Sequence, residues 1–196
     1  MDEGPALSML AAGDTQGASA WVIRAYGAEV CGYVLSLVRD ADDAAEAFAV
    51  AAELLFRNIA TFRGQASLRT WFYRIARNAA YADRRRRAQR KREDPISQLD
   101  EVLQTALRTA TLQHQKSEVK DAVAALRASL SREDRELLVL RVDRDLSWSE
   151  IALVLLGDGQ PHGEAELKRE AARARKQFER AKEQLRVLAQ QAGLLD

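Results

Sequence analysis

The chain has 196 residues, 47% of them apolar, with 30 basic and 29 acidic side chains and a formal net charge of +1. That balance excludes a disordered chain and a uniformly basic nucleic-acid coat, and a lone Cys31 excludes an internal disulfide or a cysteine metal cluster. Three prolines and ten glycines among abundant Ala, Leu, Arg and Glu point to an all-α protein, long enough for one domain or two small ones.

Residues 1–17, "MDEGPALSMLAAGDTQG", have no basic leader and read as an N-terminal tail. No apolar run approaches the roughly 18 residues that span a bilayer, so the expectation is a cytoplasmic chain without membrane insertion. From Ala18 to Val38 the residues Val22, Tyr26, Val30, Val34, Leu37 and Val38 recur at helical spacing. "RDADD" interrupts that pattern, and Asp43, three residues before Glu46, suits the N-cap of a second helix. Phe48, Ala52, Leu55, Phe56 and Ile59 give this helix its apolar stripe. "TFRGQ" is a turn, after which Ser67 is placed to cap a third helix from Leu68.

On a helical wheel Leu68, Trp71, Phe72, Ile75, Ala76 and Ala79 form one apolar face of that helix, so Trp71 and Phe72 are core residues. Tyr73, Arg74, Arg77, Asn78, Tyr81, Arg84 and Arg85 fall on the other side. Cations, an amide and aromatic rings on one face suit a surface that stacks bases and holds phosphates. The charge distribution agrees: Arg63 to Arg92 hold 11 basic side chains against Asp83 alone. Residues 1–92 carry 14 basic and 10 acidic groups, residues 93–196 carry 16 and 19. The arginine run by itself fits a solvated helix end equally well.

Asp94-Pro95 stops the third helix, and residues 93–117 are polar, a linker with a short amphipathic patch around Leu99 to Leu107. Four helices are expected in 118–196. Val119–Leu130 carries Val123, Leu126 and Leu130. "SREDRELLVLRV" opens with Ser131 and Asp134 at capping spacing, "SWSEIALVLLG" repeats the device at Ser147 and Glu150, and Gly157 suits a left-handed stop. A long charged helix from about Glu164 to Gln190 has Leu167, Ala171, Ala174, Phe178, Ala181 and Leu185 for its buried stripe. A capped helix, a Gly-rich turn and a basic-faced helix are the sequence shape of a helix-turn-helix. The charges alone also fit a salt-bridged, solvated helix.

"FRGQASLRTWFYRIARNAAYADRRRR" resembles the DNA-melting, −10-reading segment of group 4 (extracytoplasmic-function) sigma-70 factors. The upstream helix extends the resemblance through Asp43, Ala44, Ala45 and Glu46 and through Phe56, Arg57 and Asn58. "LSREDRELLVLRVDRDLSWSEIALVLLG", followed by "ELKREAARARKQFERAKEQLR", is similar to the same family's −35-reading domain. The resemblance implies two small helical domains, 18–92 and 118–196, on either side of the linker.

It further implies that Arg69, Tyr73, Arg74, Arg77, Asn78, Tyr81, Arg84 and Arg85 serve −10 DNA. Within that set Tyr73, Arg77 and Asn78 face the non-template strand, and the tail Arg84 to Arg87 follows the duplex backbone. The second helix docks on core RNA polymerase, with Asp43, Glu46, Glu53, Phe56 and Arg57 as candidates. Lys168 and Arg173 are expected on −35 phosphates, Arg169 and Ala172 at base edges, and Lys176 beside them. The implied partners are bacterial core RNA polymerase, promoter DNA (single-stranded at −10, duplex at −35) and an anti-sigma factor. Departures include Ala45, Ala49, Ala82, Glu170 and a lengthened turn after Gly157.

No acid pair, nucleophile–base pair, phosphate-cradling glycine loop or metal set is recognisable, so neither enzyme activity nor a cofactor is expected. Two rival readings come from other classes: a stand-alone helix-turn-helix repressor, and a sigma-like decoy that binds partners without initiating transcription.

Overall fold

The computed structural model describes residues 1–90, 126–127, 129–157 and 162–194, with the backbone alone over 83–90. The described residues are helical, without strands. The chain divides into two compact units, 1–111 with 157–160, and 112–156 with 161–196. The expected linker and most of the expected helix Val119–Leu130 lie outside the described residues.

The first unit contains α1 (Gly4–Ala11), α2 (Thr15–Val38), α3 (Ala41–Asn58) and α4 (Leu68–Arg90). The expected N-terminal tail is therefore folded. Pro5 sits in the first turn of α1, where its missing N–H costs nothing, and Ala6 is fully buried. Gly13 turns the chain at φ +81°, which favours glycine, and Asp14 caps α2 by accepting from Gly17 N at 2.8 Å.

α2 is 24 residues long and reaches a mean hydropathy of 1.2 over an 18-residue window. By length and composition it is apolar enough to cross a membrane, contrary to the expectation that no run approached that length. Its apolarity has a packing reason. α2 is the central helix of the unit, touching α1, α3 and α4, and Val22, Tyr26, Val30, Tyr33, Val34 and Leu37 are buried.

Asp40, not Asp43, caps α3, accepting from Asp43 N at 2.9 Å. Both acids precede the apolar stripe, and the left-handed Arg39 (φ 66°) turns the chain early enough to leave Asp43 inside the first turn. The expected apolar face of α4 is buried, Trp71 the most exposed of it at 8%. Phe72 meets Phe48 of α3 at 5.9 Å and Trp71 meets Phe62 at 5.4 Å between ring centroids. Each such ring is worth about 1.5–3 kcal/mol in area removed from water.

The second unit contains α5 (Arg132–Leu138), α6 (Trp148–Leu156) and α7 (Glu164–Gln191). Beyond Leu138 the helix expected through Val142 widens over Val139–Asp143, where Arg144 N bonds Val139 O at 3.0 Å, five residues back. Both expected serine caps form. Asp134 N donates to Ser131 Oγ at 3.1 Å; at α6, Ser147 N donates to Glu150 Oε2 at 2.8 Å and Glu150 N to Ser147 Oγ at 3.3 Å. Gly157 stops α6 at φ +73°.

Ala174, Phe178 and Ala181 of α7 are buried as expected, with Ala189 in addition, whereas Leu167, Ala171 and Leu185 are half-buried. Trp148 packs edge-on to Phe178 at 5.4 Å, and Gln177 donates to Asp134 Oδ1 at 2.9 Å, tying α7 to α6 and α5.

Candidate nucleic-acid interface

α4 carries the first candidate surface. Arg74, Arg77, Asn78 and Tyr81 are half-buried, spaced so that they share one side of the helix opposite its apolar stripe. The Arg77 guanidinium lies over the Tyr81 ring at 4.5 Å from its centroid. That stack holds a cation and a π-face together, the pair of groups a base and its phosphate require. Of Arg84, Arg85 and the basic tail through Arg87 the structure describes the helical backbone alone.

Two members of the expected −10 set do not belong to this surface. Tyr73 is fully buried and meets the Tyr33 ring of α2 edge-on at 5.1 Å. It occupies the angle of the wheel that α2 covers; a wheel drawn for one helix cannot know that a second neighbour widens the buried arc to include Thr70, Tyr73 and Ala80. Arg69 is half-buried in a bidentate ion pair with Glu29 of α2, with N–O distances of 2.6 and 3.0 Å, and lies over the Tyr73 ring at 5.6 Å. Arg69 facing Glu29 and Tyr73 facing Tyr33 also show α2 and α4 running in the same direction. Both side chains are engaged with α2 within the unit.

Sequence reasoning missed the residues that start α4. The Glu3 carboxylate accepts from Leu68 N at 2.8 Å, from Arg69 N at 3.0 Å and from the Tyr26 hydroxyl at 3.0 Å. Ser67, the expected cap, serves Thr70 N at 3.0 Å. No local signal marks Glu3, because it acts on residues more than sixty positions away. Burial, then the hydrogen bond to Glu3, pushes the Tyr26 hydroxyl up to about 12.

On α3 the expected docking residues Glu46, Glu53, Phe56 and Arg57 are exposed, and Asp43 is half-buried at the helix start. Phe56, counted above in the apolar stripe, is 45% exposed. Arg57 is paired with Glu53 one turn before it. The result is an apolar ring set among charges, a surface composition typical of protein contacts.

In the second unit Lys168, Arg169, Ala172, Arg173 and Lys176 are all exposed along one face of α7. Lys168 is paired with Glu164, and Arg173 lies 3.6 Å from Glu170. These are surface pairs of little strength, so both cations can exchange a carboxylate for a phosphate at small cost. Trp148, Ala171, Ala172, Arg175, Lys176 and Glu179 line a shallow depression of about 600 Å³ beside this face. Arg141 supports its rim, lying over the Trp148 ring at 5.4 Å and donating to Leu146 O at 2.8 Å. Among the described residues no group of His, Cys, Asp and Glu is placed to hold a metal ion.

Comparison with known proteins finds a likeness, and it lies within the first unit. A family model described as Sigma-70 region 2 matches residues 22–91, from Val22 within α2 through the end of α4. No curated protein matches the chain.

Proposed function

We propose that this protein is a dissociable initiation subunit of bacterial core RNA polymerase, of the extracytoplasmic-function sigma type, acting in the cytoplasm without a cofactor. The observation that carries the reading is the α4 face of Arg74, Arg77, Asn78 and Tyr81, lying within the residues that match Sigma-70 region 2. In this reading α3 docks on core polymerase through Glu46, Glu53, Phe56 and Arg57, with Asp43 at its start. The α4 face then takes the unpaired −10 strand, Tyr81 stacking on a base and Arg77 on the adjoining phosphate. Stacking of this kind contributes about 1–3 kcal/mol per base and is available only to bases out of the duplex.

The second unit reads −35 duplex DNA. Lys168, Arg173 and Lys176 meet phosphates, while Arg169 and Ala172 meet base edges in the major groove. Support comes from their joint exposure on one face of a helix that comes next in the chain after a capped helix stopped at Gly157. An anti-sigma factor covering both DNA faces is the natural regulator of such a chain.

Run-off transcription with purified core polymerase tests the reading. A promoter-dependent transcript supports it. A DNA mobility shift without core polymerase would instead indicate a stand-alone repressor, and core binding without a transcript a decoy. Replacing Arg77 and Asn78 together by Ala should weaken strand opening while −35 duplex binding survives. Equal loss of both activities would remove α4 from the −10 role.

A further inference from the structure

We propose that the N-terminal segment is a working part of the strand-holding unit, with Glu3 as the positioning residue that sets where α4 begins. This rests on the promoter-opening reading of α4, and it concerns a residue outside the 22–91 span that matches Sigma-70 region 2. Glu3 stands at the N-cap of α1, yet its side chain caps nothing there. Both carboxylate oxygens are turned to other elements: Oε2 to Leu68 N, Oε1 to Arg69 N and to the Tyr26 hydroxyl.

The first turn of a helix leaves its N–H groups without partners inside the helix. At α4 the duty is divided. Ser67 Oγ takes Thr70 N, Ser67 O takes Trp71 N at 2.9 Å, and Glu3 takes Leu68 N and Arg69 N. Leu68 is fully buried, so water is a poor substitute for Glu3 at its amide. A carboxylate there also complements the positive end of the helix dipole.

One side chain thus joins three elements. It binds Tyr26 on α2 and the first two amides of α4 from its own place on α1, while Arg69, whose amide it holds, reaches Glu29 on α2. The axial position and roll of α4 against α2 are set at this junction. Arg74, Arg77, Asn78 and Tyr81 lie farther along the same rigid helix, so a shift in the first turn displaces all of them. Glu3 acts through α4, by holding its first two amides.

The test uses the full chain with Glu3→Ala, Glu3→Gln and Tyr26→Phe. Amide hydrogen exchange is followed in the free protein, and core affinity and permanganate reactivity of promoter thymines are followed in the holoenzyme. For Glu3→Ala, exchange at Leu68 and Arg69 should rise about tenfold while Thr70, still held by Ser67, changes less. Strand opening should fall about tenfold with core affinity unchanged, because a misplaced helix loses bound geometry without losing the docking face. Glu3→Gln keeps one acceptor oxygen and should lie between wild type and Ala. Tyr26→Phe removes one donor and should give the same pattern, smaller.

Unchanged exchange at Leu68 and Arg69 overturns the proposal, and so does faster exchange with full strand opening. Should Glu3→Ala fail to fold, Glu3→Gln and Tyr26→Phe decide the matter by the same two criteria. Failure of the wild type itself to open any promoter would instead overturn the reading of α4, leaving the exchange result to decide whether Glu3 holds the helix start.

Discussion

At Cys31 burial alone sets the chemistry. The thiol is fully enclosed in α2, and desolvation pushes it up to about 11 from an ordinary value of 9.0. Tyr26, a few residues earlier, is raised from 10.0 to about 12. Both groups bind their proton more tightly folded than unfolded, so the stability they contribute is complete below the unfolded values and is lost as pH rises through the folded ones. The urea midpoint should therefore decline from pH 9 toward pH 12, and Cys31→Ala should remove the earlier part, between about pH 9 and 11. In the native protein a thiol reagent at pH 7 should modify Cys31 only as fast as the chain unfolds. Tyr73 belongs to the same class of residue. With the ring enclosed against Tyr33, Tyr73→Ala should cost about 3–5 kcal/mol and lower the melting temperature whether or not DNA is present. A normal melting temperature with a defect confined to promoter opening would return Tyr73 to the DNA surface.

At the scale of the element, the question is what starts each helix and what aligns it. Ser131 and Ser147 were legible as caps because a capping box is a local pattern, complete within four residues. Ser147→Ala should cost about 1 kcal/mol, measured by chemical denaturation, and the loss should appear in the second unit. Asp40 was missed in favour of Asp43 because two acids near one helix start satisfy the same pattern; the backbone turn at Arg39 decides between them. α4 shows the harder case. Its serine cap was legible, but Glu3 was not, and neither was the Arg69–Glu29 pair that aligns α4 with α2. A double-mutant cycle of Arg69→Ala and Glu29→Ala should return a coupling of about 1 kcal/mol in thermal or urea unfolding, more than an exposed pair gives, because both side chains are three-quarters covered. Additivity of the two substitutions would make the pair incidental.

For the whole molecule, charge is sorted rather than abundant: a near-neutral chain keeps a basic stretch from Arg63 to Arg92 and a cation-bearing face on α7. On the proposed reading, DNA affinity comes from a few placed cations, and the salt dependence counts them. Arg173→Ala should weaken −35 binding by the holoenzyme and lower the salt slope by about one charge, while an unchanged slope would take Arg173 off the phosphate. The all-α class, the serine caps, the apolar face of α4 and the exposed cations of α7 were determined by the sequence alone, because each depends on neighbours within two turns of the same helix. Tertiary structure alone decided that the first residues are built into the fold, that α2 is apolar because three helices surround it, and that Tyr73 and Arg69 face inward. Those outcomes depend on which helix lies beside which, and contacts across forty to sixty-six residues leave no periodic mark in either partner.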